Sequence, residues 1–182
     1  MRCFTAISPS EAVRGRIAGF AAECGMTFPG RVKPVSASNL HLTLSFLGET
    51  DSAKFEEIFA ALSALHFGKF SLPVRGAGFF PEDGLPRVLW AGTAPSEELR
   101  ALNALCEKTV EALGFPRTSP AFVPHFTVGR VKGPGDEKLS GFIGKNSVLD
   151  FGEFTVERFS FFTSDLSGKD PVYAAVRDFP LD

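Results

Sequence analysis

The chain has 182 residues, 44% hydrophobic and 22% charged, and 19 Lys and Arg against 21 Asp and Glu leave a formal charge of −2. That is ordinary usage for a folded chain about one domain long, and it excludes coating of nucleic acid or membrane through bulk positive charge. No apolar run approaches the roughly 18 residues of a membrane span, and Glu11, Arg14 and Arg16 interrupt any signal-like apolar stretch. Cys3, Cys24 and Cys106 are odd in number and far apart. They form neither a disulfide framework nor a metal-binding pair, so packed thiols in a reducing cytoplasm are expected.

Arg2 to Ile7 alternates as a strand does. Ser8-Pro9-Ser10-Glu11 reads as a helix start, with Ser8 as cap, Pro9 in the first turn and Glu11 completing a capping box. Val13, Ile17, Phe20 and Cys24 then recur at helical spacing until Gly25. A second helix is predicted after Asp51, with Phe55, Ile58, Phe59, Leu62 and Leu65 on one face. Phe70 to Phe80 and Arg87 to Ala91 read as strands around the turn Pro81-Glu82-Asp83-Gly84. A third helix follows from about Ser96 to Leu113, stopped by Gly114. The stretch from Gly129 to Gly144 reads as a loop with at most one short helix, and alternating runs near Phe151 to Thr163 and Val172 to Phe179 close the chain. Strands outnumber helices and hairpin-length turns are present, which predicts an α+β fold with antiparallel sheets.

Two short strands share a pattern. Leu40-His41-Leu42-Thr43-Leu44-Ser45-Phe46 and Pro124-His125-Phe126-Thr127-Val128-Gly129 each place an imidazole and a hydroxyl on one side. By strict alternation Leu40, Leu42, Leu44 and Phe46 face a core, and His41, Thr43 and Ser45 face away. Phe126 and Val128 face in, and His125 and Thr127 face out. Alone, either unit is no more than a histidine on a half-buried strand; the doubling gives it chemical meaning. If the two strands meet across a cleft, two imidazoles flank one phosphorus, one neutral and one protonated near pH 7. The two threonine hydroxyls then donate to the non-bridging oxygens, where charge accumulates. No metal-ligand spacing and no phosphate-binding glycine loop accompany them, so neither a metal nor a cofactor is expected.

These residues resemble the two-histidine phosphoesterases, defined by two His-x-Thr/Ser motifs, and more narrowly the bacterial and archaeal RNA 2′,3′-cyclic phosphodiesterases, historically called 2′-5′ RNA ligases. The likeness runs nearly end to end: Arg2 to Ile7, Asn39 to Leu44 with Phe46-Leu47-Gly48, Pro86-Arg87-Val88-Leu89-Trp90, Pro124 to Arg130, and the closing Ser164, Leu166, Gly168, Tyr173 and Phe179-Pro180-Leu181. It implies one unit over residues 1–182, built as two similar lobes with antiparallel sheets around a central cleft and helices on the outer faces. It also implies metal-independent hydrolysis of a terminal 2′,3′-cyclic phosphate to a 2′-phosphate, with His41 as proton donor and His125 as proton acceptor. Thr43, Thr127 and Arg130 carry over as substrate ligands. The expected partners are RNA 3′ ends or cyclic nucleotides, on a cytoplasmic monomer with no membrane role. The alternatives are a catalytically weak nucleotide-binding module and ligation by reversal of the same displacement.

The chain departs from the family pattern in Lys33-Pro34-Val35, where an aromatic is usual, and in Lys169-Asp170-Pro171, expected to alter a loop. Phe80, Phe122 and Tyr173 are then the candidates for base stacking. Arg31, Lys33, Arg87 and Lys132 are candidates for the cleft rim, whereas Arg14, Arg16, Arg100, Lys108 and Arg117 read as solvated surface, and His66 as a helix-end or surface residue.

Overall fold

The computed structural model describes residues 1–117, 121–168 and 170–182. In chain order the elements are β1 (Arg2–Ile7), α1 (Glu11–Thr27), β2 (Val32–Pro34), β3 (Leu42–Glu49), α2 (Phe55–Ser63), β4 (Phe70–Phe80), β5 (Val88–Thr93), α3 (Glu97–Ala112), β6 (His125–Val131), α4 (Glu137–Lys145), β7 (Asp150–Val156), β8 (Arg158–Asp165) and β9 (Val172–Pro180). The strands join in one sheet of order β7-β4-β5-β6-β3-β1-β8-β9, with β2 added beside β6. All its pairings are antiparallel. The predicted α+β class is therefore correct. Two four-stranded halves, β9-β8-β1-β3 and β7-β4-β5-β6, meet at a narrow seam where β3 and β6 pair through Leu42 and Phe126.

The helices form because apolar residues recur on one face and serine or aspartate holds the first free backbone N–H groups. In α1, Val13, Ile17, Phe20, Ala21 and Cys24 are buried. Its cap is Ser10 rather than Ser8, with the Ser10 hydroxyl accepting from the Val13 amide at 3.4 Å. Asp51 caps a short 3₁₀ turn that leads into α2, and Ser96 caps α3. The stretch expected to be mostly loop carries α4, opened by Asp136, whose carboxylate accepts from the Leu139 amide and pairs with Arg31. The run from Phe151 to Thr163 is two strands, β7 and β8, separated at Glu157.

Helices and one sheet face enclose a single apolar core that includes Ile7, Leu42, Leu44, Leu89, Phe126, Val128 and Phe161. Cys3, Cys24 and Cys106 lie in it as free, buried thiols, and burial pushes Cys24 and Cys106 up to about 12. Phe4, Ala6 and Phe162 cluster separately, with Tyr173 packed against them. Because Leu42 and Phe126 both point into the main core, their neighbours on the two strands point to the opposite face. That second face carries the site.

A paired His-Thr site at the sheet seam

The single register pair Leu42–Phe126 determines the geometry of the site. Continued one residue each way along antiparallel strands, it sets His41 opposite Thr127 and Thr43 opposite His125. The two histidines are then diagonal neighbours, with about 7–8 Å between their Cα atoms. All four side chains are half-buried. The sequence thus anticipated the alternation, and the seam brings both motifs onto one patch.

Each histidine is fixed in the same way. Nδ1 of His41 donates to the Asn39 carbonyl at 2.7 Å, and Nδ1 of His125 donates to the Val123 carbonyl at 2.8 Å. A carbonyl can only accept, so Nδ1 holds the hydrogen and the neutral ring keeps its Nε2 lone pair on the far side. Asn39 also uses its side chain, donating from Nδ2 to the Pro171 carbonyl at 2.7 Å, so the β8–β9 connection is tied to the residue that orients His41.

Both imidazoles are held below the ordinary 6.5. For His41 the main cause is burial, followed by repulsion from His125 and Arg130, while its bond to Asn39 opposes them. For His125 burial again leads, with Arg130 adding to it and the bond to Val123 opposing. Cations and an apolar setting destabilise a second positive charge. An arriving phosphate anion has the opposite effect, because it favours the imidazolium form.

The motif strands carry bulges that simple alternation does not anticipate. On β3, Thr5 pairs with Ser45 and Ala6 with Thr43, so Leu44 is an extra residue. On β6, Leu89 pairs with Gly129 and Trp90 with Thr127, so Val128 is extra. An inserted residue reverses the inside-outside phase beyond it. Ser45, expected on the cleft face, is therefore buried, its hydroxyl 2.7 Å from that of Thr5. Phe46, expected in the core, is 50% exposed on the cleft face, with its ring centroid 6.1 Å from that of Phe4. The same phase change on β6 turns Arg130 towards the cleft, where it lines a cavity with Thr127 and Tyr173.

Aromatic rings surround the histidines. Phe4 and Tyr173 lie 4.8 Å and 4.9 Å from the His41 ring, and Phe162 lies 6.2 Å away. Phe80 meets His125 edge-on at 5.0 Å, and Trp90 stands behind Phe80 at 5.6 Å. Trp90 reaches that position because its cross-strand partner is Gly78; a Cβ there would fall 2.1 Å from the indole. Among the described residues no group of three or more His, Cys, Asp or Glu could hold a metal ion.

A model of the LigT like Phosphoesterase family matches residues 7–90 and 93–173. The chain belongs to this family. An RNA 2′,3′-cyclic phosphodiesterase of Archaeoglobus fulgidus is 37% identical over 180 residues, covering 98% of this chain and 99% of the relative. The solved structure of TT0787 of Thermus thermophilus matches with a TM-score of 0.82 and 32% identity, over 99% of this chain and 97% of that one. E. coli LigT, crystallised with 3′-AMP, matches with a TM-score of 0.78 and 24% identity over 99% of this chain and 97% of its own, which is a likeness of fold.

In this LigT-like phosphoesterase the predicted site residues His41, Thr43, His125, Thr127 and Arg130 all lie on or beside the seam. Of the three stacking candidates, Phe80 and Phe122 line a cavity with Thr43 and His125, and Tyr173 packs on His41. Of the proposed rim cations, Lys33 lines the Arg130 cavity and pairs with Asp170, whereas Arg31 is engaged with Asp136 on α4. Arg117 is not simply solvated surface: it borders the aromatic cavity and lies 3.7 Å from Glu107. The departure at Lys169 lies outside the described residues. Sequence reasoning missed Phe46, Phe4, Phe162, Asn103 and Glu107; in β1 the alternation that separates Phe4 and Ala6 from Cys3 and Ile7 was the available signal.

Proposed function

We propose that the protein hydrolyses the 2′,3′-cyclic phosphate at RNA 3′ ends to a 2′-phosphate, with no metal in the chemical step. The observation that carries this reading is the Leu42–Phe126 pairing, which sets both His-Thr units on one face at a spacing suited to a single phosphoryl group. The relatives named RNA 2′,3′-cyclic phosphodiesterase support it.

Water attacks phosphorus while His125 Nε2 takes its proton, and the P–O3′ bond breaks as His41 Nε2 delivers a proton to O3′. The phosphate stays on O2′. Thr43 and Thr127 donate to the non-bridging oxygens, and Arg130 adds the charge that the developing anion needs. In the free protein both imidazoles are depressed, so His41 takes up its proton when the anionic substrate arrives. Turnover leaves His41 neutral and His125 protonated, and solvent exchange restores the starting state. The whole of 1–182 works as one unit in this reading, because each lobe supplies one histidine.

Phosphorus NMR on a 2′,3′-cyclic nucleotide in the presence of a chelator tests the reaction. The expected result is conversion to a 2′-phosphate alone. A 3′-phosphate product, or nucleotide binding without turnover, contradicts it.

A further inference from the structure

A cavity of about 310 Å³ opens beside Thr43 and His125, on the side of the site away from Arg130. Its walls are the rings of Phe46, Phe80 and Phe122, and its polar groups come from Asn103 and Glu107 on α3 and from Arg117. The mechanism above uses none of these polar groups.

Glu107 is the unusual member. Its side chain is only 13% exposed, and Arg117 Nε, at 3.7 Å, is beyond hydrogen-bond range. Among the described residues no donor bonds its carboxylate, although a carboxylate has room for about four. Burial raises its pKa, which Arg117 partly offsets. Asn103 is buried too, and it donates one Nδ2 hydrogen to the Leu44 carbonyl at 2.6 Å, which leaves its amide oxygen and its second N–H to offer. An aromatic slot therefore ends in the Glu107 carboxylate, with the Asn103 amide and one guanidinium beside it.

We propose that this cavity reads the terminal nucleobase and selects guanine, through Glu107 accepting from the adjacent N1–H and 2-amino groups while Arg117 meets O6. The proposal rests on the cyclic phosphodiesterase reading and names the substrate that the site takes. Bases of single-stranded ends are recognised in this way, by stacking on aromatic side chains and by bonds to their Watson–Crick edge. Guanine alone among the four presents two neighbouring donors to a two-oxygen acceptor. Adenine and cytosine present one amino group beside a bare ring nitrogen, which a carboxylate repels. Uracil has one N–H between two carbonyl oxygens. Thr43 and His125 border both the histidine diagonal and the cavity, and the base hangs from C1′, next to the carbon that bears the retained O2′, so a phosphate on the diagonal puts the base within reach of the cavity.

The test is kcat/KM for the 2′,3′-cyclic phosphates of guanosine, inosine, adenosine, cytidine and uridine, with the wild type and with Glu107→Gln. Guanosine is expected to exceed the other three common nucleosides by at least about tenfold, and inosine, which lacks the 2-amino group, to fall by about tenfold. Glu107→Gln is expected to erase the guanosine advantage by lowering guanosine kcat/KM about tenfold while the thermal midpoint stays in place, which separates base reading from a folding defect. Equal rates for the four nucleosides in the wild type, or a guanosine preference that survives Glu107→Gln, overturn the proposal and leave the phosphodiesterase reading in place. If no cyclic nucleotide turns over, that reading fails instead; 2′-GMP binding in preference to 2′-UMP then upholds base selection, and equal binding refutes it.

Discussion

The two motif strands β3 and β6 are built alike and furnished differently. Each has a His at or just before its start, Thr two residues on, a bulge, and then a cleft-facing side chain five residues after the histidine. On β6 that residue is Arg130; on β3 it is Phe46. Flanking positions follow the same rule. Trp90 stands across from Thr127 on β5, whereas Ala6 stands across from Thr43 on β1, and Phe4 is paired with Phe46 where Val88 is paired with Arg130. One frame thus supplies two acid-base groups of equal standing, and the unequal fifth positions divide the cleft into a cationic side and an aromatic side. In the proposed reaction the likeness serves the chemistry, which needs a donor and an acceptor across one phosphorus. The difference suits the proposed substrate, which has charge on one end and a base on the other.

The comparison is broken most severely by removing either histidine. His41→Ala and His125→Ala should each lower kcat about 10²- to 10⁴-fold, measured on a 2′,3′-cyclic nucleotide. The proposed mechanism has both groups act in one transition state, so the double variant should fall little below the worse single variant. Strictly multiplicative losses would place the two rings in separate events.

The fifth positions come next. Arg130→Gln should reduce kcat/KM about 10- to 100-fold, the size of a charge-assisted bond to an anion. Phe46→Ala should cost only about fivefold, the low end for a base resting on one ring, and it should appear in KM. The pH profiles sharpen the contrast. Both histidine pKa values lie below 6.5 in the free protein, so the acid limb of kcat/KM, where the base becomes protonated, should also lie below 6.5. Arg130 is one cause of that depression, so Arg130→Gln should move the limb upward, while Phe46→Ala should leave it in place. An unmoved limb in Arg130→Gln would remove Arg130 from the electrostatics of the pair.

The smallest effect tests the bulge itself. Ser45→Ala leaves the buried Thr5 hydroxyl with the Cys106 thiol as its side-chain partner and should cost about 1 kcal/mol of stability in denaturant unfolding. Catalytic rate on the remaining folded protein should be near normal.

Strict alternation made the His-Thr faces legible, because a strand's period of two needs no long-range information to express itself. Arg130 was readable only through family likeness, and Phe46 was misplaced, since both depend on bulges that arise from pairing with β1 and β5 rather than from any local residue preference. Ser8 and Ser10 are both competent caps, and the choice between them depends on where the chain leaves β1. Three-residue β2 is too short for a periodic signal, and it lies against β6 where a Cβ on Gly129 would come within 3.1 Å of Val32. Glu107 has no local sequence signal; it stands out only because the fold sets it in one cavity with Phe46, Phe80 and Phe122.

Nitrogen-15 NMR of the imidazoles, titrated with pH in the presence and absence of a 2′-nucleotide, most directly tests whether His41 and His125 share one phosphate. The shared site requires both pKa values to rise on binding, from below 6.5 in the free protein. A rise at one ring with the other unmoved would mean that the phosphate belongs to a single histidine.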